Sequence, residues 1–398
     1  MIHPLDEWVD HAHVGFKYRN TLETLKTIAT NLNLWPKVPV ISVAGTNGKG
    51  SCVATASYVL QQLGKRVGAT FSPHIHDVTE RISIDGVPVE KEHLWTVIQF
   101  IQQQTHVPLS YFETLILAAM YLFKEAQCDV WVMEVGLGGR LDAVNILDAD
   151  IAIITSIGLD HQDILGETRE AIAQEKLGIA RSDKTLIIAE QDWPDVPYQH
   201  LANTTYIINR DFKDENGRWI GQKHHIDMQQ CSLARPSVMA ALTAIEALGL
   251  MKDTEINLAE LSLPGRFEFK KVHNTIFIFD VAHNDAAIKR LAQQLKGYEK
   301  TNLLFSSQNH KCVFQGLCEL LDQVESVSLI DCKFKNNNDY IYHLLPDHYQ
   351  RKATITPCLT SHLKQLLQAS KPFVVVTGSF MTVAYVQQKL ASIVQTTN

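Results

Sequence analysis

The sequence predicts an α/β protein of two domains: an N-terminal P-loop-type domain on a mostly parallel sheet, and a smaller C-terminal Rossmann-like α/β domain. Three observations predict it. At 398 residues the chain exceeds one ordinary core. Apolar runs of strand length alternate with longer helical patterns, as in a parallel sheet covered on both faces. The alternation lapses over 191–232 and restarts after Pro264-Gly265-Arg266, so the domains are drawn at 1–268 and 269–398 with a hinge near 265–272.

In order, Val38–Ala44 reads as a strand, followed by a helix after Gly50, a strand Arg66–Thr70, a helix Leu115–Ala126 and strands Val130–Val135 and Ile151–Thr155. A helix Glu167–Ala180 and a strand Thr185–Ala189 complete this series. Residues 191–232 read as a small β-rich or irregular excursion, and a helix spans about 235–249. The second domain reads as strand Thr275–Val281, a helix from Asp285, strand Asn302–Phe305, helix Gln315–Leu321, strands 326–330 and Phe373–Thr377, and a closing helix Thr382–Ala391. Lys333–Asp339 reads as a solvated polar turn.

Hydrophobic residues at 45% and charged residues at 20% are the balance of a globular chain. A net charge of −7 with no long Lys/Arg run argues against nucleic acid as a partner. The N-terminus lacks a signal-peptide pattern and no stretch of about 18 apolar residues occurs, so a cytoplasmic protein without membrane partners is expected. Seven scattered cysteines without a C-x-x-C pair suit reduced thiols and argue against structural zinc.

Val40-Ile-Ser-Val-Ala-Gly45-Thr46-Asn47-Gly48-Lys49-Gly50-Ser51 is an apolar strand entering a glycine-rich turn and then a helix. Glycines let backbone amides approach phosphate oxygens, the helix N-terminus favours anions, Lys49 adds a charge and Ser51 a hydroxyl for Mg²⁺. This is an ATP-type site, although Gly50 separates the lysine from the serine, and the alternative is a tight turn with an incidental lysine. Val130-Trp-Val-Met-Glu134 adds a carboxylate at the end of an apolar strand, where open α/β sheets bind ligands.

Beyond these two segments, Phe71-Ser72-Pro-His74, Glu80-Arg81-Ile82, Glu134-Val-Gly-Leu-Gly-Gly-Arg-Leu-Asp142, Thr155-Ser156 with Leu159-Asp-His161, and Glu175-Lys176 occur in order. Pro264-Gly-Arg266, Asp280 with Ala282-His283-Asn284, and Gly378-Ser-Phe380 follow. The ordered set resembles bacterial dihydrofolate synthase / folylpolyglutamate synthases, within the wider Mur ligase group.

The resemblance implies an ATPase-type first domain and an ATP-dependent ligase that joins L-glutamate to dihydropteroate and to reduced folates through an acyl phosphate. Negative charge builds at each step and must be met by metal and fixed donors. By resemblance, Gly45, Thr46, Asn47, Gly48, Lys49, Gly50 and Ser51 hold the nucleotide, and Ser51 and Glu134 one Mg²⁺. Ser72 and His161 join Glu134 around a second Mg²⁺. Lys49, Glu134, His161 and Lys176 form the catalytic set, with Lys176 carbamylated. Arg266, Asp280, His283 and Asn284 serve the nucleotide and glutamate side, so that domain closure assembles the site. Tyr111, Phe112, Asp142 and Ala143 wall the pterin pocket. The family is usually monomeric.

Four positions depart from the family pattern: Asp285 after His-Asn, His310-Lys311-Cys312 for Asp-Lys-Asp, Ser237 for asparagine and Val144 for threonine. They leave open a single-activity or non-catalytic ATP-binding relative. A Mur-type cell-wall ligase is expected to carry a further domain ahead of the phosphate loop, and a simple kinase leaves the second domain unexplained.

Overall fold

In the first unit, Val40–Ala44 and Val130–Glu134 are buried at every residue, as strands in the middle of a two-sided sheet must be. The computed structural model describes residues 3–12, 20–252, 254–298, 301–307, 313–332, 338–369 and 373–397, and divides into Met1–Leu261 and Ser262–Asn398.

The first unit runs α1 (Pro4–Ala12), α2 (Leu22–Asn31), β1 (Val40–Ala44), α3 (Lys49–Gln62), β2 (Val67–Thr70), β3 (Ile82–Ile84), β4 (Val87–Pro88), α4 (Lys91–Gln104), α5 (Tyr111–Glu125) and β5 (Val130–Glu134). It continues with β6 (Ile151–Ile154), α6 (Gln162–Leu165), α7 (Arg169–Leu177), β7 (Thr185–Ile188), β8 (Thr204–Ile207), β9 (Lys213–Glu215), β10 (Arg218–Ile220), β11 (His225–Asp227) and α8 (Arg235–Ala247). Eight strands form one sheet in the order β4-β3-β2-β5-β1-β6-β7-β8. From β2 to β8 neighbours are parallel, and β3 and β4 close one edge antiparallel.

The 191–232 excursion supplies β8 to that sheet and a separate antiparallel sheet β11-β10-β9. Fully buried Trp219 on β10 anchors it, its indole N–H donating to Thr243 Oγ1 of α8 at 3.2 Å. An aromatic of this size contributes on the order of 2–3 kcal/mol by burial once its polar edge is satisfied.

The second unit contains β12 (Glu268–Val272), β13 (Thr275–Phe279), α9 (Asp285–Gln294), β14 (Thr301–Phe305), α10 (Phe314–Leu321), β15 (Val324–Ile330), α11 (Asn338–Leu344), α12 (Asp347–Gln350), β16 (Ala353–Thr356), α13 (Leu359–Gln368), β17 (Phe373–Thr377) and α14 (Phe380–Thr397). Its sheet order is β12-β13-β17-β14-β15-β16, parallel except for β12. Both units are therefore α/β, each with a mostly parallel sheet.

Four local expectations are corrected. Residues 268–272 of the expected hinge form β12, which pairs with β13 from Glu268–Phe279 to Val272–Thr275. An edge strand carrying Lys270 and Lys271 looks like linker because one side needs no apolar partner. The helix expected from Leu115 starts four residues earlier, at Tyr111, because Ser110 and Glu113 form a capping box. The helix expected over Glu167–Ala180 is α7 alone, started by the Thr168 cap. Of the polar turn Lys333–Asp339, residues 333–337 lie outside the described residues, and Asn338 and Asp339 open α11.

Candidate functional site

Four neighbouring parallel strands, β2, β5, β1 and β6, deliver their carboxyl ends to one edge of the large sheet. Ser72 follows β2, Glu134 ends β5, the glycine loop follows β1, and Thr155-Ser156 leads from β6 towards His161. Ligands bind at this end because the strands stop there and helix N-termini begin.

The glycine loop is braced by the β6 exit. Thr46 N–H donates to the Ser156 carbonyl (2.8 Å), Asn47 N–H to Ser156 Oγ (2.9 Å), and Thr155 Oγ1 donates to the Asn47 carbonyl (2.7 Å). Thr46 Oγ1 exchanges bonds with the Gly158 carbonyl (3.1 Å) and amide (2.9 Å). Gly45 has φ +155° and a β-carbon there would stand 1.9 Å from Thr155 Oγ1; Gly48, the helix cap, has φ +86° and faces Ser237 Oγ. Neither position accepts a side chain without strain. Lys49 Nζ donates to the Gly45 carbonyl at 3.0 Å, so the lysine lies along the loop. Ser51 is buried in the first turn of α3.

Glu134 is 2% exposed. Its Oε2 accepts the Ser72 amide (3.1 Å), while its own amide donates to Thr70 Oγ1 (2.8 Å), tying the ends of β2 and β5. A buried carboxylate requires compensation by positive charge or fixed donors. Burial first, and the Glu134 charge second, push the Cys52 thiol far above its usual range, so Cys52 is an inert core residue.

Lys176 is 3% exposed on α7. Burial first, then the positive charge of Lys49, lower its amine to about 7, against the opposing pull of Asp160 and Asp142. Near neutrality much of it is uncharged. Asp142 caps a short 3-10 turn, Ala143–Ile146, accepting the Val144 amide (3.0 Å) on Oδ1 and the Leu137 amide (3.0 Å) on Oδ2. Ala143 and Val144 are buried within that turn.

In the second unit, Asp280 is buried after β13 and accepts the Phe267 amide (3.0 Å) and the Ala282 amide (2.9 Å). It thereby joins the Pro-Gly-Arg segment to the Ala282-His-Asn segment. The Arg266 guanidinium lies 4.9 Å from the Phe380 ring centroid, and the His283 ring 5.8 Å from the same ring. His283 Nδ1 bonds the Val281 carbonyl (2.9 Å), and Asn284 caps α9 through the Ala287 amide (3.0 Å). Asp280 and Asn284 thus hold backbone, whereas Arg266 and His283 share an aromatic support.

Of the predicted residues, the structure brings Gly45–Ser51, Ser72, Glu134 and Lys176 to the carboxyl edge of the first sheet. His161 caps α6 with φ +50° and is exposed. Tyr111 and Phe112 occupy the first turn of α5; Phe112 lies against Gly136, and Tyr111 packs against Trp8 with centroids 5.3 Å apart and planes tilted by 33°. Two participants carry no assignment from the sequence. Ser237, a departure from the family pattern, sits against Gly48, and Arg81 reaches the Tyr111 ring (5.2 Å to its centroid) within the field of Glu134. The signal for Arg81 was the Glu-Arg-Ile motif itself. Asp285 accepts the Gly316 amide (2.6 Å) and pairs with Lys289 (2.8 Å), a local structural role. His310, Lys311 and Cys312 lie outside the described residues.

Among the described residues no three His, Cys, Asp or Glu side chains cluster as metal ligands. Buried Glu134, with the Ser72 amide on its carboxylate, and the Ser51 and Ser72 hydroxyls carried at the same sheet edge are a sparse oxygen set. It fits a hard divalent cation that keeps waters and takes its other oxygens from a phosphate.

The Mur ligase middle-domain model matches residues 43–279. The chain is 33% identical over 400 residues to a dihydrofolate synthase/folylpolyglutamate synthase of Buchnera aphidicola subsp. Baizongia pistaciae, covering 94% of this chain and 91% of the relative. It is 37% identical over 292 residues to the Escherichia coli K12 protein of the same name, covering 70% and 69%. The crystal structure of the Yersinia pestis CO92 bifunctional folylpolyglutamate synthase/dihydrofolate synthase superposes with a TM-score of 0.85 at 30% identity, over 97% of this chain and 98% of that one. E. coli FolC in complex with DHPP and ADP gives 0.85 at 30% identity over 98% of each chain. A further structure of the bifunctional enzyme, with Mn, AMPPNP and L-glutamate bound, gives 0.84 at 30% identity over 97% and 98%. Conserved architecture along nearly the whole length, with the braced phosphate loop and buried Glu134 at its centre, places this chain in the dihydrofolate synthase/folylpolyglutamate synthase family of Mur ligases.

Proposed function

We propose that this protein ligates L-glutamate to dihydropteroate, forming dihydrofolate, and adds glutamate to reduced folates, using ATP. The observation that carries this reading is the side-by-side placement of the phosphate loop after β1 and buried Glu134 on β5 in a chain of this family.

A carboxylate is a poor acylating agent. Its oxygen attacks the γ-phosphorus of ATP, ADP leaves, and an acyl phosphate forms. The glutamate amine then attacks the acyl carbon, phosphate departs with the bonding pair, and the amine loses a proton. In this reading Lys49 and the amides of Gly45–Gly50 hold the ATP phosphates. Ser51 and Glu134 hold one Mg²⁺, and Ser72, Glu134 and His161 a second; bound divalent cations supply charge neutralisation at the transferring phosphoryl group. Lys176, uncharged in part near pH 7, has the free amine needed to take up CO₂ and become an anionic carbamate. Arg266 and His283 serve the nucleotide and glutamate, with Asp280 and Asn284 fixing their backbone. Tyr111, Phe112, Asp142 and Ala143 border the pterin.

The free cysteines support a reducing, cytoplasmic setting, and no described helix is long and apolar enough to cross a membrane. The monomeric state follows the family resemblance and is checked by light scattering. Phosphate release from ATP with dihydropteroate plus glutamate, and separately with tetrahydrofolate plus glutamate, tests the function. Turnover with both establishes the two activities, turnover with one a single-activity enzyme, and ATP binding without turnover overturns the proposal.

A further inference from the structure

Arg81 is 9% exposed, and at the protein interior a guanidinium is expected to meet a carboxylate. Among the described residues none does. The two acids beside it in sequence are committed elsewhere. Glu80 accepts the backbone amides of Ile75 (2.7 Å), His76 (2.9 Å) and Asp77 (3.0 Å), and Asp77 pairs with Lys91 at 2.7 Å. The charges of Glu134 and Glu80 act on Arg81, but no carboxylate is paired with it among the described residues, and the bonds it makes hold it in place. Its Nε donates to His74 Nδ1 at 2.8 Å, which keeps that imidazole nitrogen unprotonated, and its guanidinium covers the Tyr111 ring. Trp8 packs against Tyr111 as well, with ring centroids 5.3 Å apart and planes tilted by 33°. The Arg81 carbonyl accepts the Phe71 amide (2.9 Å), so the residue stands beside Phe71-Ser72, and the Ser72 amide binds Glu134. A fixed, desolvated cation whose two terminal nitrogens have no hydrogen-bond partner among the described residues thus stands between an aromatic ring and the phosphoryl-transfer edge.

We propose that Arg81 binds the carboxylate that the enzyme activates, taking the two oxygens of an arenecarboxylate on its terminal nitrogens while Tyr111 supports the adjoining ring. This deepens the ligase reading and rests on it. A fork of two N–H donors matches a carboxylate in a way that the point charge of a lysine does not.

The test compares binding of pteroic acid and of its carboxamide analogue by calorimetry, in wild type, Arg81→Gln and Arg81→Lys. Wild type is expected to prefer the acid by roughly 10- to 100-fold, the range for a charge-assisted hydrogen-bonded pair. In Arg81→Gln the preference collapses toward unity, with ATP affinity unchanged, and in turnover KM for dihydropteroate rises far more than KM for glutamate. Arg81→Lys keeps only part of the preference, and supplies the readout should the glutamine variant not fold. Equal binding of acid and amide by wild type overturns the proposal without any variant. A wild-type preference retained in full by both variants overturns it too, and leaves Arg81 as a counter-charge for Glu134. Wild-type phosphate release dependent on dihydropteroate and glutamate is scored separately, so failure of the ligase reading is distinguished from failure of the Arg81 assignment.

Discussion

The positive charge of Lys49 acts on the buried amine of Lys176, which burial and that charge together hold at about 7. One lysine belongs to the phosphate loop and the other to α7, so the loop and the helix are electrostatically coupled. An amine that titrates at about 7 when folded and 10.5 in its ordinary state is protonated less in the native chain between those values. Native stability therefore rises as pH climbs from about 7 toward 10.5, and below 7 the full cost of burying the charge is present. In CO₂-depleted buffer, the difference in denaturation midpoint between Lys176→Met and wild type should be largest at or below pH 7 and shrink as pH rises. A constant difference across pH 6.5 to 9.5 would remove the buried-amine account.

Glu134→Gln retains the side-chain shape and removes the charge. Turnover is expected to fall by at least about 100-fold, because a metal-holding anion at the transferring phosphate is lost. The metal-free protein should be no less stable than wild type, since a buried carboxylate costs desolvation. Thermal unfolding with and without Mg²⁺ reads both effects, and a variant that melts well below the metal-free wild type contradicts the assignment.

Gly45→Ala places a methyl 1.9 Å from Thr155 Oγ1, on a backbone with φ +155°. The strain, on the order of 1–3 kcal/mol, must be relieved by moving the loop or the β6 exit. ATP affinity is expected to drop at least tenfold, with a smaller loss of global stability. Titration of ATP into the variant checks it, and wild-type affinity would show that the loop does not need this glycine.

Asp280→Ala removes the acceptor of two amides that join the Pro-Gly-Arg and Ala-His-Asn segments. Two stranded N–H groups cost about 2–4 kcal/mol. Unfolding of the second unit should shift to lower denaturant, and Asp280→Asn, which keeps one acceptor oxygen, should recover part of it. Loss of turnover at unchanged stability would instead mark Asp280 as a group that touches substrate.

The central strands were legible because a strand buried on both faces leaves a continuous apolar run, as in Val130–Met133 and Leu186–Ile188. The phosphate loop was legible because backbone approach to an anion restricts residue type over a few consecutive positions. The N-terminal helices, the β3–β4 edge and β12 were missed. Amphipathic and edge segments mix polar with apolar residues, and which side is covered depends on distant chain, as when Glu268, Lys270 and Lys271 pair with β13.

The sequence by itself determined two α/β units, the family and the residue types of a phosphate-binding edge, since these follow from periodicity and from ordered local motifs. Only the tertiary structure decided that Glu134 takes the Ser72 amide, that Asp142, Asp280 and Asn284 hold backbone amides, that Lys176 is buried within the field of Lys49, and that Arg81 faces Tyr111 with no carboxylate paired to it among the described residues. The physical reason is that a side chain's burial, charge state and partners are set by segments far away in sequence, which meet only when the sheet places strand ends side by side.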